Sequence, residues 1–339
     1  MNSEFVEPLI HWYRAQARDL PWRRNKQGYA VWISEIMLQQ TRVSTVIPYY
    51  IRFLEELPNV AALSRVDDER LQKLWEGLGY YSRARNLKRA ASDVMMRFDG
   101  QLPLRYEELM TLPGIGEYTA GAVASIAGGV RVPAVDGNVL RVMARLLNDS
   151  RDIANPKTKQ AVRSALLPIL PDDAGTFNSA LMELGAMICV PNGAPHCETC
   201  PVQACCGAYL MGTVGQLPVK SSKKARRMVE KTVFALSAQG QYIGSKRAET
   251  GLLAGLWQLP EVDGILSDEA IAGQLSIWGV RPTGDLLIYA RKHIFTHIEW
   301  HMRVCAAEVE TDLSHWPEGW IMLEERMALP TAYRVCLPR

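Results

Sequence analysis

The sequence predicts a multi-domain protein, in which a mostly α-helical domain is followed by a smaller α+β domain. Apolar residues recur at helical spacing through the first two hundred residues, with a clear stripe from Val139 to Leu147. The β-rich runs KTVFALSAQGQYIGS and DLLIYARKHIFTHIEWHMRVCAAEV follow a polar, basic segment. We therefore expect domains at residues 1–211 and 229–339, joined by a linker at 212–228.

The composition limits what the chain can bind and where it works. The chain has 339 residues, 48% of them apolar, which is enough for two domains with their own cores. Its formal net charge is only +2, so any binding of nucleic acid has to come from local basic patches and backbone amides. The opening residues do not combine a basic segment with a long apolar run, and we expect neither a signal peptide nor a membrane span.

The stretch LPGIGEYTA, at residues 112–120, places two glycines around one aliphatic residue, just before a run of small residues. Gly114 and Gly116 permit a tight turn with φ angles that other residues resist. Successive amides at the start of the following helix would form an anion site, for which a duplex phosphate is the natural ligand. The pattern equally fits an ordinary helix–turn–helix in which the glycines serve only for packing.

Two carboxylates have surroundings that would give them different chemistry. Glu35 lies within the apolar run VWISEIM, where burial would raise its pKa and keep it protonated near neutral pH. Asp136 stands at the start of the striped helix, where unpaired backbone amides would donate hydrogen bonds to its carboxylate and hold it ionised. Such a pair suits a general acid and an electrostatic stabiliser. The alternatives are a solvated helix residue for Glu35 and a simple N-cap for Asp136.

Four motifs resemble those of one enzyme family. LPGIGEYTA resembles the hairpin of helix-hairpin-helix DNA glycosylases, and three more motifs resemble adenine DNA glycosylases, the MutY family. These are VWISEIMLQQT, GLGYYSRARNL and VDGNVLRV. The resemblance runs nearly end to end and implies a base-excision repair enzyme that removes adenine mispaired with 8-oxoguanine. It implies that Glu35 is the general acid, that Asp136 stabilises the sugar cation, and that Asn138 helps to orient the site.

The resemblance also implies that the enzyme is monofunctional. Related glycosylases that cut the strand carry a lysine where Tyr118 stands, and its amine forms a Schiff base with the sugar. A phenol cannot do this, so we expect an abasic product without a nick. The resemblance further implies that Tyr118 contacts the aspartate and the sugar. The alternatives are a bifunctional pyrimidine glycosylase-lyase of the same fold and a non-catalytic iron–sulfur DNA-binding protein.

The expected partner is double-stranded DNA that contains an adenine:8-oxoguanine or adenine:guanine mispair, bound by a monomer in the bacterial cytoplasm, at the nucleoid. Adenine has to be flipped out of the duplex to react. The resemblance implies that Gln40 and Tyr80 wedge near the opposite base and that Arg23 lines the adenine pocket. A basic group suits either phosphate or a solvated helix face, and it consists of Arg83, Arg85, Lys88 and Arg89.

Five of the seven cysteines lie between Cys189 and Cys206, and disulfides are rare in cytosolic proteins, so this cluster indicates metal or redox chemistry. The set Cys189, Cys197, Cys200 and Cys206 resembles the family's [4Fe–4S] ligands. Seven residues separate Cys189 from Cys197 where the family usually has six, and the loop VPNGAPH could absorb the extra one. Zinc is the alternative, because four cysteines suit it too.

The segment GLLAGLWQLPE, at residues 251–261, resembles the Nudix-like C-terminal domain of the family. The following residues lack the glutamate-rich R-E-x-x-E-E box, so we expect no pyrophosphatase activity. The family role of this domain is recognition of 8-oxoguanine. Phe295, Thr296 and His297 stand where the family has a Phe-Ser-His loop, and Thr296 keeps the hydroxyl while adding a methyl.

Overall fold

The computed structural model describes residues 3–221, 225–311 and 315–338. These residues separate into two compact units, one formed by residues 3–66 and 85–221 and the other by residues 67–84 and 225–338. Residues 222–224 of the predicted linker and residues 312–314 of the predicted second domain lie outside the described residues. The second unit therefore contains a segment from the N-terminal half of the chain, for which no sequence pattern provides a signal.

The described residues up to 221 are mainly helical, as predicted. The helices are α1 (Val6–Gln16), α2 (Pro21–Arg24), α3 (Gly28–Leu38), α4 (Val43–Glu56), α5 (Val60–Arg65), α6 (Asp68–Trp75), α7 (Ser82–Arg97), α8 (Tyr106–Leu109), α9 (Glu117–Ile126), α10 (Gly137–Leu146), α11 (Pro156–Leu166), α12 (Ala174–Met187) and α13 (Gly207–Leu210). Across the described ranges, none of the helices is long and apolar enough to cross a membrane.

The stripe on α10 forms part of the core of the first unit. Val139, Val142, Met143 and Leu146 are buried together with residues of α1 and α12, as the helical spacing predicts. Leu147 follows the last turn of α10 and is exposed, because the helix ends before it. The core of the first unit thus fixes α10 by one face and leaves its N-terminus, at Asp136, free to carry a functional group.

Helix α3 is apolar on every side and is buried from Ala30 to Met37, between α4 and α9. A helix of this kind belongs to the centre of a domain rather than to its surface. Glu35 is the charged residue within that buried run, and its carboxyl group is buried because the apolar residues around it pack in the interior. The alternative of a solvated helix residue is therefore wrong for Glu35.

The second unit contains a mixed β-sheet. Its strands are β1 (Arg227–Ala238), β2 (Gln241–Lys246), β3 (Trp257–Gln258), β4 (Glu261–Asp263), β5 (Leu287–Ile294), β6 (Ile298–Glu308) and β7 (Ile321–Met322), and its later helices are α14 (Asp268–Ile277) and α15 (Thr331–Arg334). Within the described residues the strand order is β3-β2-β1-β6-β5, with β4 paired to β1 and β7 paired to β2. Strands β1 and β6 are parallel, and the other pairs are antiparallel.

Successive side chains of β1 point to opposite faces of this sheet. Val233 and Ala235 pack in a core with Trp300 and residues of α15, whereas Phe234 packs on the other face with residues of α14. Strands β5 and β6 form a hairpin with Ile294 opposite Glu299, so residues 295–297 make its turn. The predicted recognition loop therefore stands at a hairpin tip and not inside a strand.

Helix α6 packs within the second unit through polar contacts to distant parts of the chain. The Glu76 carboxylate accepts a hydrogen bond from the Leu329 amide at 2.9 Å. The Gln72 side chain donates to the Gly255 carbonyl oxygen at 3.4 Å. These contacts join a helix from the first hundred residues to loops of the C-terminal sheet domain.

Candidate active site

A cavity of about 1010 Å³ lies in the helical unit, lined by residues of α3, α9, α10 and α12. It brings together the four residues predicted to be catalytic, which are Glu35, Tyr118, Asp136 and Asn138. Arg23, Gln40 and Gly116 line the same cavity. Residues that lie more than a hundred positions apart in the sequence therefore face one space large enough for a base and its sugar.

Glu35 is 6% exposed, and the loss of hydration on burial raises the pKa of its carboxyl group to about 7. The Tyr118 hydroxyl, which donates a hydrogen bond to Glu35 Oε2, opposes this effect. The Asp136 charge raises the pKa further, and the Arg23 charge lowers it. Glu35 therefore keeps a proton near neutral pH, as its apolar sequence surroundings predict.

The phenol of Tyr118 hydrogen-bonds the acid, and the charge of Asp136 lies close enough to act on its pKa. Its hydroxyl lies 3.1 Å from Met182 Sδ as well as within hydrogen-bond reach of Glu35. The resemblance to the family implies a contact with the aspartate, but the hydrogen bonds of Tyr118 go to Glu35 and Met182. Burial raises the pKa of the phenol well above its usual value, so it remains a donor across the physiological range.

Asp136 is the N-cap of α10 and is half-buried. One carboxylate oxygen accepts from the Val139 amide at 2.8 Å, and the other accepts from Asn138 Nδ2 at 2.8 Å. Burial raises the pKa of Asp136, whereas the hydrogen bonds at the start of the helix lower it and favour the ionised form, as the sequence predicts. The surrounding protein removes more hydration from the carboxylate than the two hydrogen bonds and the Arg141 charge restore.

Asn138 connects Asp136 to a buried arginine. Its Oδ1 accepts a hydrogen bond from Arg141 Nη2 at 2.9 Å, and the same nitrogen donates to the Gly185 carbonyl oxygen at 2.7 Å. A Cβ atom on Gly185 would lie 2.6 Å from Asn138 Cβ, so glycine is needed for this approach. Arg141 Nε also donates to the Cys189 carbonyl oxygen at 2.8 Å, which ties the cysteine loop to the aspartate.

Sequence reasoning missed a second buried carboxylate in the cavity wall. Glu183 is 1% exposed and accepts two hydrogen bonds from each of the Arg18 and Arg23 guanidinium groups, at 2.6–3.0 Å. Burial alone would raise its pKa, but the hydrogen bonds from Arg18 and Arg23 outweigh that effect and bring the pKa to about 2. Glu183 lies in the apolar run ALMELGAM, which is the same kind of signal that singled out Glu35.

Gly114 and Gly116 differ in what they require of the backbone. Gly114 has φ +76°, and a Cβ atom there would lie 2.6 Å from Asn86 Cβ. Gly116 is the N-cap of α9 with φ −100°, and nothing lies within 4 Å of the place where its Cβ would be. The prediction of a special φ angle is therefore confirmed for Gly114 and wrong for Gly116, where the missing side chain instead leaves the helix N-terminus open.

Four cysteines of the loop after α12 surround one small cavity, which Cys189, Cys197, Cys200 and Cys206 line together with Arg145. Arg145 Nη1 lies 3.3 Å from Cys189 Sγ. Cys205 is not among the residues that line this cavity, and its thiol donates to the Val202 carbonyl oxygen at 3.4 Å. Within the described ranges, no three metal-ligating side chains are already close enough to hold a metal ion.

The second unit brings Tyr80 to the predicted recognition loop. Its hydroxyl lies 2.6 Å from Thr296 Oγ1. The Phe295 amide donates to the Ile298 carbonyl oxygen at 2.8 Å, and the Phe295 ring packs on Trp300 with centroids 5.0 Å apart. His297 is exposed at the same hairpin tip. The loop is therefore closed by backbone hydrogen bonding and anchored by one aromatic side chain, while the Thr296 hydroxyl meets Tyr80 and the His297 side chain is exposed.

The basic group of α7 divides by exposure. Arg83 is 8% exposed, Lys88 is half-buried, and Arg85 and Arg89 are exposed. The proposal of phosphate contacts does not fit Arg83, because its guanidinium is buried against main-chain carbonyl groups. Arg85, Lys88 and Arg89 keep the accessibility that such contacts require.

Comparison with known proteins agrees with this arrangement. A model of the HhH-GPD superfamily base excision DNA repair proteins matches residues 33–169, and a NUDIX domain model matches residues 232–338. The adenine DNA glycosylase of Homo sapiens is 34% identical over 393 residues, which cover 95% of this chain and 71% of that protein. The chain belongs to the adenine DNA glycosylase family. The family member from Buchnera aphidicola (subsp. Baizongia pistaciae) is 37% identical over 260 residues, or 76% of this chain and 73% of that protein.

Solved structures match the helical part of the chain. A thermostable thymine-DNA glycosylase aligns with a TM-score of 0.56 and 28% identity, covering 61% of this chain and 96% of that one. Endonuclease III in a non-covalent DNA complex aligns with a TM-score of 0.53 and 23% identity, covering 62% and 98%. Together with the two family models, these matches confirm a helix-hairpin-helix glycosylase fold with a C-terminal Nudix-like domain, as the resemblance implies.

Proposed function

We propose that the protein is a monofunctional DNA glycosylase that excises adenine mispaired with 8-oxoguanine or guanine and leaves an abasic site. One observation carries the proposal beyond family membership. Glu35, with its pKa raised to about 7, and the half-buried Asp136 face the same cavity, so a proton donor and a carboxylate can reach the same nucleotide.

In the proposed mechanism, Glu35 protonates the adenine ring as the N-glycosidic bond breaks, so that the base leaves as a neutral molecule. The deoxyribose becomes cationic at the same time, and the Asp136 carboxylate stabilises that charge. Val139 and Asn138 hold the carboxylate in place with one hydrogen bond to each oxygen. The ionised Glu35 then accepts a proton from the water that attacks the sugar.

The identity of Tyr118 supports a glycosylase without lyase activity. Its phenol stands at the start of α9, beside Glu35, where a strand-cutting relative has a lysine. A phenol cannot form a Schiff base, so the sugar intermediate has to be released by water. Tyr118 instead donates a hydrogen bond to Glu35 and orients that carboxyl group in the cavity.

The adenine pocket is proposed to lie beside the group formed by Arg18, Arg23 and Glu183. The resemblance implies that Arg23 lines this pocket, and its guanidinium is held by both oxygens of Glu183. The two arginines and one carboxylate form a network with a net charge of +1 on the cavity wall. Such a network has fixed donors and acceptors, which is what recognition of a flipped base edge requires.

The hairpin is proposed to bind a duplex phosphate at the N-terminus of α9. Gly116 caps this helix without a side-chain hydrogen bond, and the space around its Cα is open. The first amides of the helix can therefore approach an anion directly. Gln40, Tyr80, Phe295, Thr296 and His297 are proposed to contact the mispair, with Thr296 and His297 recognising 8-oxoguanine from the Nudix-like domain.

We propose that Cys189, Cys197, Cys200 and Cys206 hold a [4Fe–4S] cluster. The four thiols suit the cluster in number and chemistry, they surround one cavity, and binding would draw their sulfurs closer together. The bound group would crosslink the cysteine loop and take no part in bond cleavage. Zinc remains the alternative, and elemental analysis of the purified protein separates the two metals.

The domain organisation is likewise a proposal. We propose that residues 212–228 connect the glycosylase domain to the Nudix-like domain, and that the protein acts as a monomer on the DNA of a bacterial nucleoid. The family models support this division, because the first ends at residue 169 and the second begins at residue 232. Sedimentation of the protein with and without a mispaired duplex tests the monomer.

The proposed activity is tested with a labelled duplex that contains adenine opposite 8-oxoguanine. Strand breaks that appear only after alkali support the monofunctional enzyme, breaks without alkali indicate a lyase, and no breaks at all indicate a binding protein. The variants Glu35→Gln and Asp136→Asn are expected to lose adenine release while they retain duplex binding. Turnover in either variant at the wild-type rate would contradict the assigned roles.

A further inference from the structure

We infer that Arg83 is a positioning residue for lesion recognition, which holds Tyr80 where its hydroxyl meets the hydroxyl of Thr296, and that it is not a phosphate ligand. The inference rests on the proposed function, because it gives Tyr80 and Thr296 a shared role in recognising the base opposite adenine. All the contacts that carry it lie within the second unit.

The guanidinium of Arg83 is directed at the main chain of the turn before α7. Its Nη2 donates to the carbonyl oxygens of Leu78 and Gly79, each at 3.1 Å. The side chain is buried, and burial lowers its pKa to about 10, which still leaves it charged at neutral pH. Arg83 therefore places its donors on a turn of its own protein, whereas a phosphate ligand needs them at the surface.

The same guanidinium lies between two aromatic rings. Its carbon is 5.2 Å from the centroid of the Trp75 ring and 5.6 Å from the centroid of the Tyr80 ring. The Trp75 indole donates to the Gly79 carbonyl oxygen at 3.1 Å, so it fixes the turn from the other side. A planar cation in this position is attracted to both rings and fixes the distance between them.

The turn itself needs such support. Gly77, Gly79 and Tyr80 have φ angles of +100°, +70° and +48°. Glycine adopts positive φ without steric strain. A tyrosine at positive φ is strained and keeps this conformation only where its surroundings hold it there. The Arg83 amide donates to the Tyr80 carbonyl oxygen at 2.9 Å, so both the backbone and the side chain of Arg83 hold Tyr80 in place.

The position of Tyr80 determines a contact with the recognition loop. The Tyr80 ring is 44% exposed, and its hydroxyl lies 2.6 Å from Thr296 Oγ1. The hydroxyl hydrogen of Thr296 can turn about the Cβ–Oγ1 bond, so a partner at hydrogen-bond distance fixes its orientation. Loss of Arg83 would release Tyr80 from its strained turn, and the Thr296 hydroxyl would lose a fixed partner.

The test compares Arg83→Gln and Arg83→Lys with the matched variant Arg89→Gln, which removes an exposed arginine from the same helix. Single-turnover excision is measured opposite 8-oxoguanine and opposite guanine. We expect Arg83→Gln to lose about tenfold of the preference for 8-oxoguanine, the size of one well-placed hydrogen bond, with little change opposite guanine. Arg83→Lys is expected not to restore it, because an ammonium cannot lie flat between two rings. Arg89→Gln is expected to weaken binding of both duplexes alike.

A double-mutant cycle identifies the route of the effect. Thr296→Val removes the hydroxyl, and adding Arg83→Gln to it should cause little further loss if both act on one contact. Additive losses, an unchanged preference, or equal losses on both duplexes would each overturn the inference.

A measurement without DNA keeps the inference separate from the proposed function. The ¹⁹F resonance of Tyr80 in protein labelled with fluorotyrosine, assigned with Tyr80→Phe, should shift in Arg83→Gln and stay in place in Arg89→Gln. An unshifted resonance overturns the positioning role. A wild-type enzyme without any preference for 8-oxoguanine would instead count against the proposed function, while the resonance still tests Arg83.

Discussion

Tyr118 donates its phenolic hydrogen to Glu35, and the two residues are 83 positions apart in the sequence. The hydrogen bond stabilises the ionised form of a carboxyl group whose burial favours the neutral form. The pKa of about 7 is the balance of these two effects, with smaller contributions from Asp136 and Arg23. The pKa of the Glu35 carboxyl group is therefore lowered by a neighbour, Tyr118, that stays uncharged at neutral pH.

The rate of adenine excision should fall as pH rises through about 7. Only the protonated Glu35 can donate to the leaving base, so above its pKa the single-turnover rate is expected to drop about tenfold for each pH unit. Single-turnover kinetics on the adenine:8-oxoguanine duplex between pH 5 and pH 9 measure this. A rate that stays constant across that range would exclude Glu35 as the proton donor.

Replacing Tyr118 by phenylalanine should move this decline to higher pH. The hydrogen bond from Tyr118 lowers the pKa of Glu35, so its removal raises that pKa above about 7. The same kinetic series compares the variant with the wild type at each pH. A decline at an unchanged or lower pH would mean that the hydroxyl does not stabilise the Glu35 carboxylate.

The Glu35→Gln variant should be more stable than the wild type at alkaline pH. The folded pKa is raised from 4.5 to about 7, so the folded state binds the extra proton between these values and stability is lost as pH rises through the window. Above it the buried carboxylate lowers the free energy of unfolding by roughly 3 kcal/mol, which glutamine restores. Urea unfolding near pH 8 and near pH 5 measures the difference, which should shrink to below about 1 kcal/mol at the lower pH.

Gly114→Ala and Gly116→Ala should fail in different ways. Alanine at position 114 requires positive φ and meets Asn86, so we expect a loss of about 2 kcal/mol or more in the free energy of unfolding. Alanine at position 116 fits the folded protein and should leave stability within about 0.5 kcal/mol, but it should weaken duplex binding. Each variant is the control for the other, and the opposite pattern would contradict the proposed anion site.

Cys206→Ser should lose bound metal, whereas Cys205→Ser should keep it. Cys206 lines the cavity with Cys189, Cys197 and Cys200, and Cys205 does not. Iron and sulfide content, with the broad visible absorbance of an iron–sulfur cluster, measure the effect. Equal metal content in the two variants would show that Cys206 had been wrongly chosen as a ligand. Zinc in place of iron would contradict the proposed [4Fe–4S] cluster.

The sequence predicts what depends on near neighbours. The stripe on α10, the burial of Glu35 and the N-cap role of Asp136 all follow from residues within one or two turns. The pKa of Asp136 cannot be predicted in this way, because the elements that bury its carboxylate are distant in the sequence. The resemblance supplied Tyr118, but its bond to Glu35 depends on the meeting of two helices.

Glu183 and Arg83 mark two further limits. Glu183 lies 160 residues from Arg23, and no spacing rule connects them, although one glutamate in an apolar run was a usable signal. Arg83 belongs to a run of basic residues whose exposure differs from one position to the next, because α7 turns some of them inward. A run of basic residues thus indicates an exposed, charged surface. Only the packing of the helix shows which of those residues is buried instead.

The dependence of the C-terminal sheet domain on residues 67–84 has a consequence for synthesis. Arg326 meets Glu69 across 257 positions, so α6 leaves the ribosome on the order of ten to fifty seconds before that partner exists. The nascent chain has to carry this helix undocked until residue 326 has been synthesised. A fragment that starts at residue 225 would lack the helix altogether, and it should be less soluble than the same fragment supplied with a peptide of residues 67–84.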